Sequence, residues 1–240
     1  MKKFLSKILA LLGYKISKIG PESLPAKSMN DAIEKISRFH DVNTIIDIGA
    51  SSGIWSKLAM KHYPEARYLL IEAQPVHEPA LIAFTTECKN AQYILSAAGE
   101  SHGQIYFDAS DSYSGQAAYT PYPNNNITVP VVTVDGEINR LKLNGPFLLK
   151  LDTHGFEVPI FKGAMQTLKD TAVIVVECYN FRISPECLLF HEMCEYLDHL
   201  GFRCIDLADP LWRPYDQAFW QMDLVFIRKD ESEFAYSNYQ

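Results

Sequence analysis

Apolar positions along this chain fall into two rhythms. Short unbroken runs, Thr44–Ile48, Tyr68–Ile71, Gln92–Leu95, Phe147–Leu151 and Ala172–Val176, have the β-branched and leucine-rich composition of strands covered on both faces. Between them, apolar residues recur every three or four positions. Met29–Phe39 reads as a helix with Ile33 and Ile36 inward and Asp31, Glu34, Lys35 and Arg38 outward. A helix begins behind Gly53 and runs to Met60, another spans Pro79–Cys88, and a third opens at Glu157 with Ile160, Phe161 and Ala164 facing the sheet. Ser184–Leu200 predicts a helix capped by Ser184, with Pro185 at its first position and Gly201 as its stop. Phe202–Leu207 and Asp223–Arg228 close the chain as an antiparallel pair. Strands alternating with helices predict an α/β fold, a doubly wound open sheet.

The turn after the first strand is the most informative stretch. Asp47-Ile-Gly49-Ala50-Ser-Ser-Gly53 lacks the glycine spacing of dinucleotide-binding turns, and the phosphate-cradling glycine-lysine motif is absent. An acid at Asp47 would repel a phosphate and suits a cationic or zwitterionic ligand. The second run ends on another acid, Glu72, where a strand-end carboxylate grips ribose hydroxyls. Asp47, Gly49, Ala50, Gly53 and Glu72 together read as a site for S-adenosylmethionine, with Asp47 at its amino-acid end. The small residues of Ser96–Glu100 leave room for a flat adenine beside Ala98, with Glu100 reaching the exocyclic amine; an ordinary tight loop is the other reading.

A second informative stretch is Pro146–Ala164. Its strand delivers Asp152 to the carboxyl edge of the sheet, the ligand-binding edge of open α/β sheets. Lys150, Asp152, His154 and Glu177 should gather at that rim. Asp152 is placed to act as base or hydroxyl-orienting group, and His154 has a reference pKa of about 6.5 that suits proton transfer. Alternatively Asp152 and Glu177 share magnesium, although no third ligand is evident. Strand-like Gln104–Phe107 and Thr128–Val134 flank a Ser-, Tyr- and Asn-rich segment, 108–126, readable as a binding loop or as a surface insertion. The aromatic stretch 209–220, with Arg213, either stacks on sugar rings or plugs the sheet end.

Composition narrows the partners. A formal charge of −7 and a pI near 5.5 argue against a general nucleic-acid binder. Five cysteines without a C-x-x-C pair argue against a zinc site or disulfide framework. The N-terminal stretch 1–13 has an apolar helical face of Phe4, Leu5, Ile8, Leu9, Leu11 and Leu12 ringed by lysines. It is too short to span a bilayer, Lys7 interrupts a signal-like run, and it fits a docked helix or a weak membrane-surface contact. Residues 20–27 read as a linker. The expected organisation is a helical extension over 1–42, one domain over 43–230 and a tail over 231–240, in the cytoplasm.

The motifs Asp47-Ile-Gly-Ala-Ser-Ser-Gly53, Ile71-Glu-Ala-Gln-Pro75, Ala97-Ala98 and above all Leu149-Lys-Leu-Asp-Thr-His-Gly-Phe-Glu157 with Lys162-Gly-Ala164 resemble the FkbM-type family of S-adenosylmethionine-dependent methyltransferases. The resemblance covers roughly residues 43–228. It implies a Rossmann-like sheet of seven strands with the last pair antiparallel, and O-methylation, often of sugar hydroxyls on glycans or natural products. The acceptor would then be a carbohydrate or glycosylated small molecule, with Asp152 and His154 catalytic. The chain departs from the pattern twice: Ser51 stands where many members have Asn, and His154 where they have an acid. A nucleotide-dependent oxidoreductase is disfavoured by the missing glycines, while a non-catalytic binding protein stays open.

Overall fold

A computed structural model describes residues 27–123 and 126–238. The N-terminal apolar helix and most of the linker expected from the sequence lie outside the described residues. Elements in chain order are α1 (Met29–Ser37), β1 (Thr44–Ile48), α2 (Ile54–Ala59), β2 (Arg67–Glu72), α3 (Glu78–Glu87), β3 (Ala91–Leu95), β4 (Ala97–Ala98), β5 (Gly103–Asp108), β6 (Gln116–Ala118) and β7 (Asn126–Val132). There follow α4 (Val134–Leu141), β8 (Phe147–Leu151), α5 (Glu157–Lys162), β9 (Thr171–Tyr179), α6 (Phe190–His199), β10 (Phe202–Trp212) and β11 (Phe219–Arg228).

The main sheet has seven strands in the order β10-β11-β9-β8-β1-β2-β3. β1, β2, β3, β8 and β9 run parallel, and β11 is antiparallel to both β9 and β10. This is the Rossmann-like, doubly wound arrangement the sequence implies. Each strand divides its residues between two cores because successive side chains point to opposite faces. Ile46, Ile48, Leu69, Ile71, Leu149 and Leu151 pack under α4, α5 and α6, whereas Ile45, Tyr68, Leu70 and Leu148 pack under α1, α2 and α3. Helix α1 buries Ala32, Ile33 and Ile36 in the second core and is moored at β10, where Lys27 and Lys35 both pair with Asp206. None of the described helices is long and apolar enough to cross a membrane.

Two features differ from the sequence expectation. The segments around 104–107 and 128–134 form a separate small sheet, β4-β7-β5-β6, and the segment between them contributes its own strand β6. Its Phe107 and Ala117 are buried against the first core. The helix predicted from Ser184 begins only at Phe190. Ser184 Oγ donates to the Gly155 carbonyl at 3.4 Å instead of capping, and Cys187 is buried beneath that turn. Glu192 caps the delayed start by accepting from the Leu189 N–H at 2.8 Å. The five cysteines are free thiols.

Glycine is demanded where the small sheet meets α5. A Cβ placed on Gly163 would lie 2.0 Å from the Gly99 carbonyl oxygen, a backbone atom that cannot step aside, whereas one on Gly103 would meet nothing within 4 Å. Gly163→Ala should therefore cost ~3 kcal/mol and lower the melting temperature by roughly 6–12 °C. Gly103→Ala, measured in the same thermal melt, should change it by less than about 2 °C.

Candidate functional site

The parallel strands end together, so their next residues form a row along the carboxyl edge. Ile48 is level with Ile71 on one side and Leu151 on the other, and Leu151 is level with Val176. One step on stand Glu72, Gly49, Asp152 and Glu177, with Asp223 directly across from Glu177 on β11. A cavity with about 700 Å³ of open space, mouth included, lies over the row. Gly49, Ser51, Glu72, Ala98, Asp152 and His154 line it, with the small sheet's Phe107 and Ala117 as roof and Phe156 and Ile160 as side wall.

At one end, Glu72 is buried and its carboxylate accepts the Ser51 N–H and the Gln74 N–H, each at 2.7 Å. Each carboxylate oxygen has a further lone pair, so Glu72 can still accept hydroxyls from a ligand. Ala97 and Ala98 add small apolar surface to the cavity lining beside Phe107 and Phe156.

Four residues expected to touch the ligand stand elsewhere. Asp47 lies two residues short of the row residue Gly49 on the α2 face, fully buried, with Ser56 Oγ donating to it at 2.7 Å and Lys150 Nζ ion-paired with it at 3.0 Å. It anchors the turn from beneath and does not line the cavity. Ala50 is packed in the core below the turn. Gly53 starts α2 with φ +80, and a Cβ there would crowd Phe84 at 3.1 Å. Glu100 points outward to Lys162, 3.4 Å away, because β4 pairs with β7 and carries the following residues off the cavity. Gly49 is required by the protein itself: at φ +73, its Cβ would fall 2.0 Å from the Asp152 carbonyl oxygen.

The other end is a cluster of charge. Lys150 Nζ lies 3.0 Å from Asp47, 3.4 Å from Asp152 and 3.1 Å from the Gly49 carbonyl. Burial alone would favour a neutral amine, but the two carboxylates override it and hold the ammonium charged far above the ordinary lysine range. Burial likewise works against an ionised Asp152, yet Lys150 and His154 keep its carboxyl below the usual range. Glu177 makes no contact with Lys150, and burial followed by the charge of Asp152 pushes it up to about 9. Asp223 rises to about 7 for the same two reasons. His154, with φ +54, turns its ring back over the row, leaving Nε2 3.7 Å from both Asp152 and Glu177. Tyr179 and Gln221 each donate a hydrogen bond to the Glu177 carboxyl.

The rim residues foreseen from the sequence, Lys150, Asp152, His154 and Glu177, are thus brought together. Tyr179, Gln221 and Asp223 were missed, since only strand pairing reveals them. Gln74 and His77, at the start and end of the short turn after β2, were also missed, whereas Ser112 and Tyr113, which line the cavity, belong to the segment 108–126 that the sequence left readable as a binding loop.

The model of the family described as methyltransferase FkbM domain matches residues 47–204. Among solved structures, an FkbM methyltransferase from Methylobacillus flagellatus KT superposes with a TM-score of 0.53 at 13% identity, covering 83% of this chain and 48% of that one. The chain thus spans about half the length of that protein, and at this identity the likeness shows the fold. Lower similarity is found to a putative O-methyltransferase from Klebsiella pneumoniae (TM-score 0.48, 10% identity, 94% and 89% covered). A Burkholderia thailandensis 1,6-didemethyltoxoflavin-N1-methyltransferase with bound S-adenosylhomocysteine is at a similar level (0.47, 8%, 84% and 77%). No curated protein matches the sequence.

The raised carboxyls have a consequence for stability. A group whose folded pKa exceeds its unfolded value favours the fold below the unfolded value, and that advantage is lost as pH rises through the folded one. For Glu177 the span runs from 4.5 to about 9, and for Asp223 from 3.8 to about 7. Glu177→Gln removes the ionisation while keeping a polar group for Tyr179 and Gln221. Thermal melts at pH 6 and pH 9 should show a drop in the wild type that is smaller by several degrees in the variant. Equal drops would mean that Glu177 is already ionised at pH 6.

Proposed function

Since the chain belongs to the FkbM methyltransferase family, we propose that it transfers the methyl group of S-adenosylmethionine to a sugar hydroxyl on a glycan or glycosylated metabolite. The observation that carries this reading is the row itself: one cavity has a hydroxyl-accepting acid, Glu72, at one end and proton-handling groups at the other. The cavity residues suit an adenosyl ligand, because Glu72 keeps lone pairs for ribose and Ala98, Phe107 and Phe156 line the cavity with apolar surface. The bound cofactor supplies an activated methyl group on sulfur.

The chain's residues do the rest. As the acceptor oxygen bonds to the methyl carbon, its proton must leave. The sequence favours Asp152 for this task, but a carboxyl held below its usual range by Lys150 is a weak base. Asp152 is better suited to accept the hydroxyl hydrogen bond and steady positive charge on His154, whose Nε2 is the proton acceptor. A carbohydrate acceptor is supported by ring contacts leading away from His154. They run through Tyr179 at 6.4 Å, Trp220 at 6.1 Å and Phe181 at 5.3 Å to Arg213 at 4.1 Å, with Trp212 and Tyr215 exposed nearby. Such faces stack on the C–H faces of sugars.

One geometric fact favours a second reading of the rim. One donor atom each from Asp152, His154 and Glu177 lie within 4.8 Å of one another, so a divalent cation has a third ligand the sequence did not reveal. An imidazole in the set shifts its preference from magnesium toward manganese or zinc. In that case Asp152, His154 and Glu177 would hold the ion, which would supply Lewis acidity toward the acceptor hydroxyl, and His154 would serve as a ligand instead of a base.

Calorimetry should show S-adenosylhomocysteine binding and no binding of NAD. Glu72→Gln should weaken the former by ~1.5–3 kcal/mol. In a labelled-methyl screen over cell glycans and sugar nucleotides, His154→Gln should lose about 10²-fold or more in turnover and Asp152→Asn a comparable amount, with cofactor affinity retained. Turnover abolished by EDTA and restored by manganese would replace the base by the metal. Cofactor binding without methyl transfer to any acceptor would favour a non-catalytic binding protein.

A further inference from the structure

We propose that Gln74 and His77 are positioning residues that latch the segment 111–115 over the bound cofactor, so that the cofactor leaves only when this latch opens. The inference rests on the cofactor reading above, and adds residues and a kinetic order to it.

The segment crosses the cavity as a strap, with Ser112, Tyr113 and Gly115 lining it opposite Gly49, Ser51 and Glu72. Burial does not hold it down: Tyr113, its largest side chain, is 72% exposed. Beside a ring contact between Tyr113 and His77 at 5.7 Å, the side-chain bonds that hold it are polar and come from one turn. Gln74 Nε2 donates to the carbonyls of Asp111 at 3.1 Å and Ser112 at 3.2 Å, and His77 Nε2 lies 2.6 Å from the Ser112 carbonyl. A carbonyl oxygen only accepts, so His77 carries its proton on Nε2. The two side chains are themselves buried, at 5% and 7% exposure, which shields these bonds from competing water.

The latch is built onto the cofactor site. The Gln74 N–H is held by Glu72, the acid assigned to ribose, and the His77 ring lies 3.5 Å from Ser51 Oγ in the glycine turn. The closed strap has no slack, since a Cβ on Gly115 would lie 2.4 Å from the Phe107 ring and 2.5 Å from Gln74 Nε2. Asp111, which organises the strap by accepting the N–H groups of Tyr113 and Ser114, has its carboxyl lowered first by those bonds and also by the nearby His154. One strap therefore roofs the cofactor and walls the acceptor rim. The cofactor must enter before the strap closes, and the acceptor arrives at a rim that closure completes.

S-adenosylhomocysteine is the probe, followed by stopped-flow fluorescence or surface plasmon resonance on the full chain. His77→Ala and Gln74→Ala should each speed its dissociation about tenfold, the worth of one or two buried hydrogen bonds, while association changes by less than about threefold. His77→Gln, which keeps a donor, should recover much of the slow dissociation. Wild-type dissociation rates in both alanine variants overturn the latch. If the wild type itself fails to bind the probe, the cofactor reading fails instead. Should His77→Ala melt too early to measure, hydrogen exchange on the wild type decides: the probe should slow exchange at the amides of Tyr113 and Gly115, and unchanged exchange there overturns the proposal.

Discussion

The Lys150 ammonium is out of contact with water and bonded to three things that would otherwise not be joined: the strand acid Asp47, the rim acid Asp152 and the Gly49 carbonyl. Removing one partner from such a buried set leaves an uncompensated charge, so the three stand or fall together. Through Asp47 the same ammonium reaches Ser56 and thus the start of α2, and through Gly49 it fixes the turn whose Ser51 N–H donates to Glu72. The turn at one end of the cavity and the rim at the other are therefore set by one cation. Its cost is that Asp152 is satisfied while Glu177 and Asp223 are not, which is why those two rise and Asp152 falls.

Sheet topology explains why these groups meet at all. Parallel strands put all their carboxyl ends on one edge, and strand order places β1 between β2 and β8. Residues 72, 49, 152 and 177 are far apart in sequence, yet each is simply the first residue past a level rung. The antiparallel β11 joins the row from the opposite direction, so its contribution, Asp223, comes near the middle of a strand instead of at its end.

That difference governs what could be read from the sequence. Buried parallel strands announce themselves as continuous apolar runs, and a polar residue directly after such a run must lie at the edge; hence Glu72, Asp152 and Glu177 were legible. Asp47 stands two positions before the row, so it points to the same face as Lys150 and Asp152 but one full repeat deeper in the sheet, where it is buried and takes a structural role. Ser184-Pro185 has sound capping chemistry, but the cap was outcompeted by the need to cover the Gly155 turn with Ser184 and Cys187. The segment carrying the strap was readable as a binding loop, but Gln74 and His77 were not legible as its partners, because their hydrogen bonds run to backbone carbonyls some 35 to 38 residues away. Such bonds depend on where a loop goes and scarcely on what its side chains are.

The two departures from the family pattern share one backbone property. Ser51 and His154 both adopt left-handed conformations, φ +48 and +54, a region that costs most residues about 1 kcal/mol or more and that Asn, Asp and His enter more readily. Asparagine at position 51 would meet that demand by itself. Serine meets it less well, and the bond from its N–H to Glu72 at 2.7 Å supplies the restraint that the side chain does not. At position 154 the exchange of an acid for histidine keeps a residue suited to the conformation and changes only the chemistry. A further carboxylate beside the ionised Asp152 would add a like charge to a rim where Glu177 and Asp223 are already pushed toward holding protons. An imidazole instead gives the rim a group that can gain positive charge there, and the surrounding carboxylates stabilise that charge as it forms.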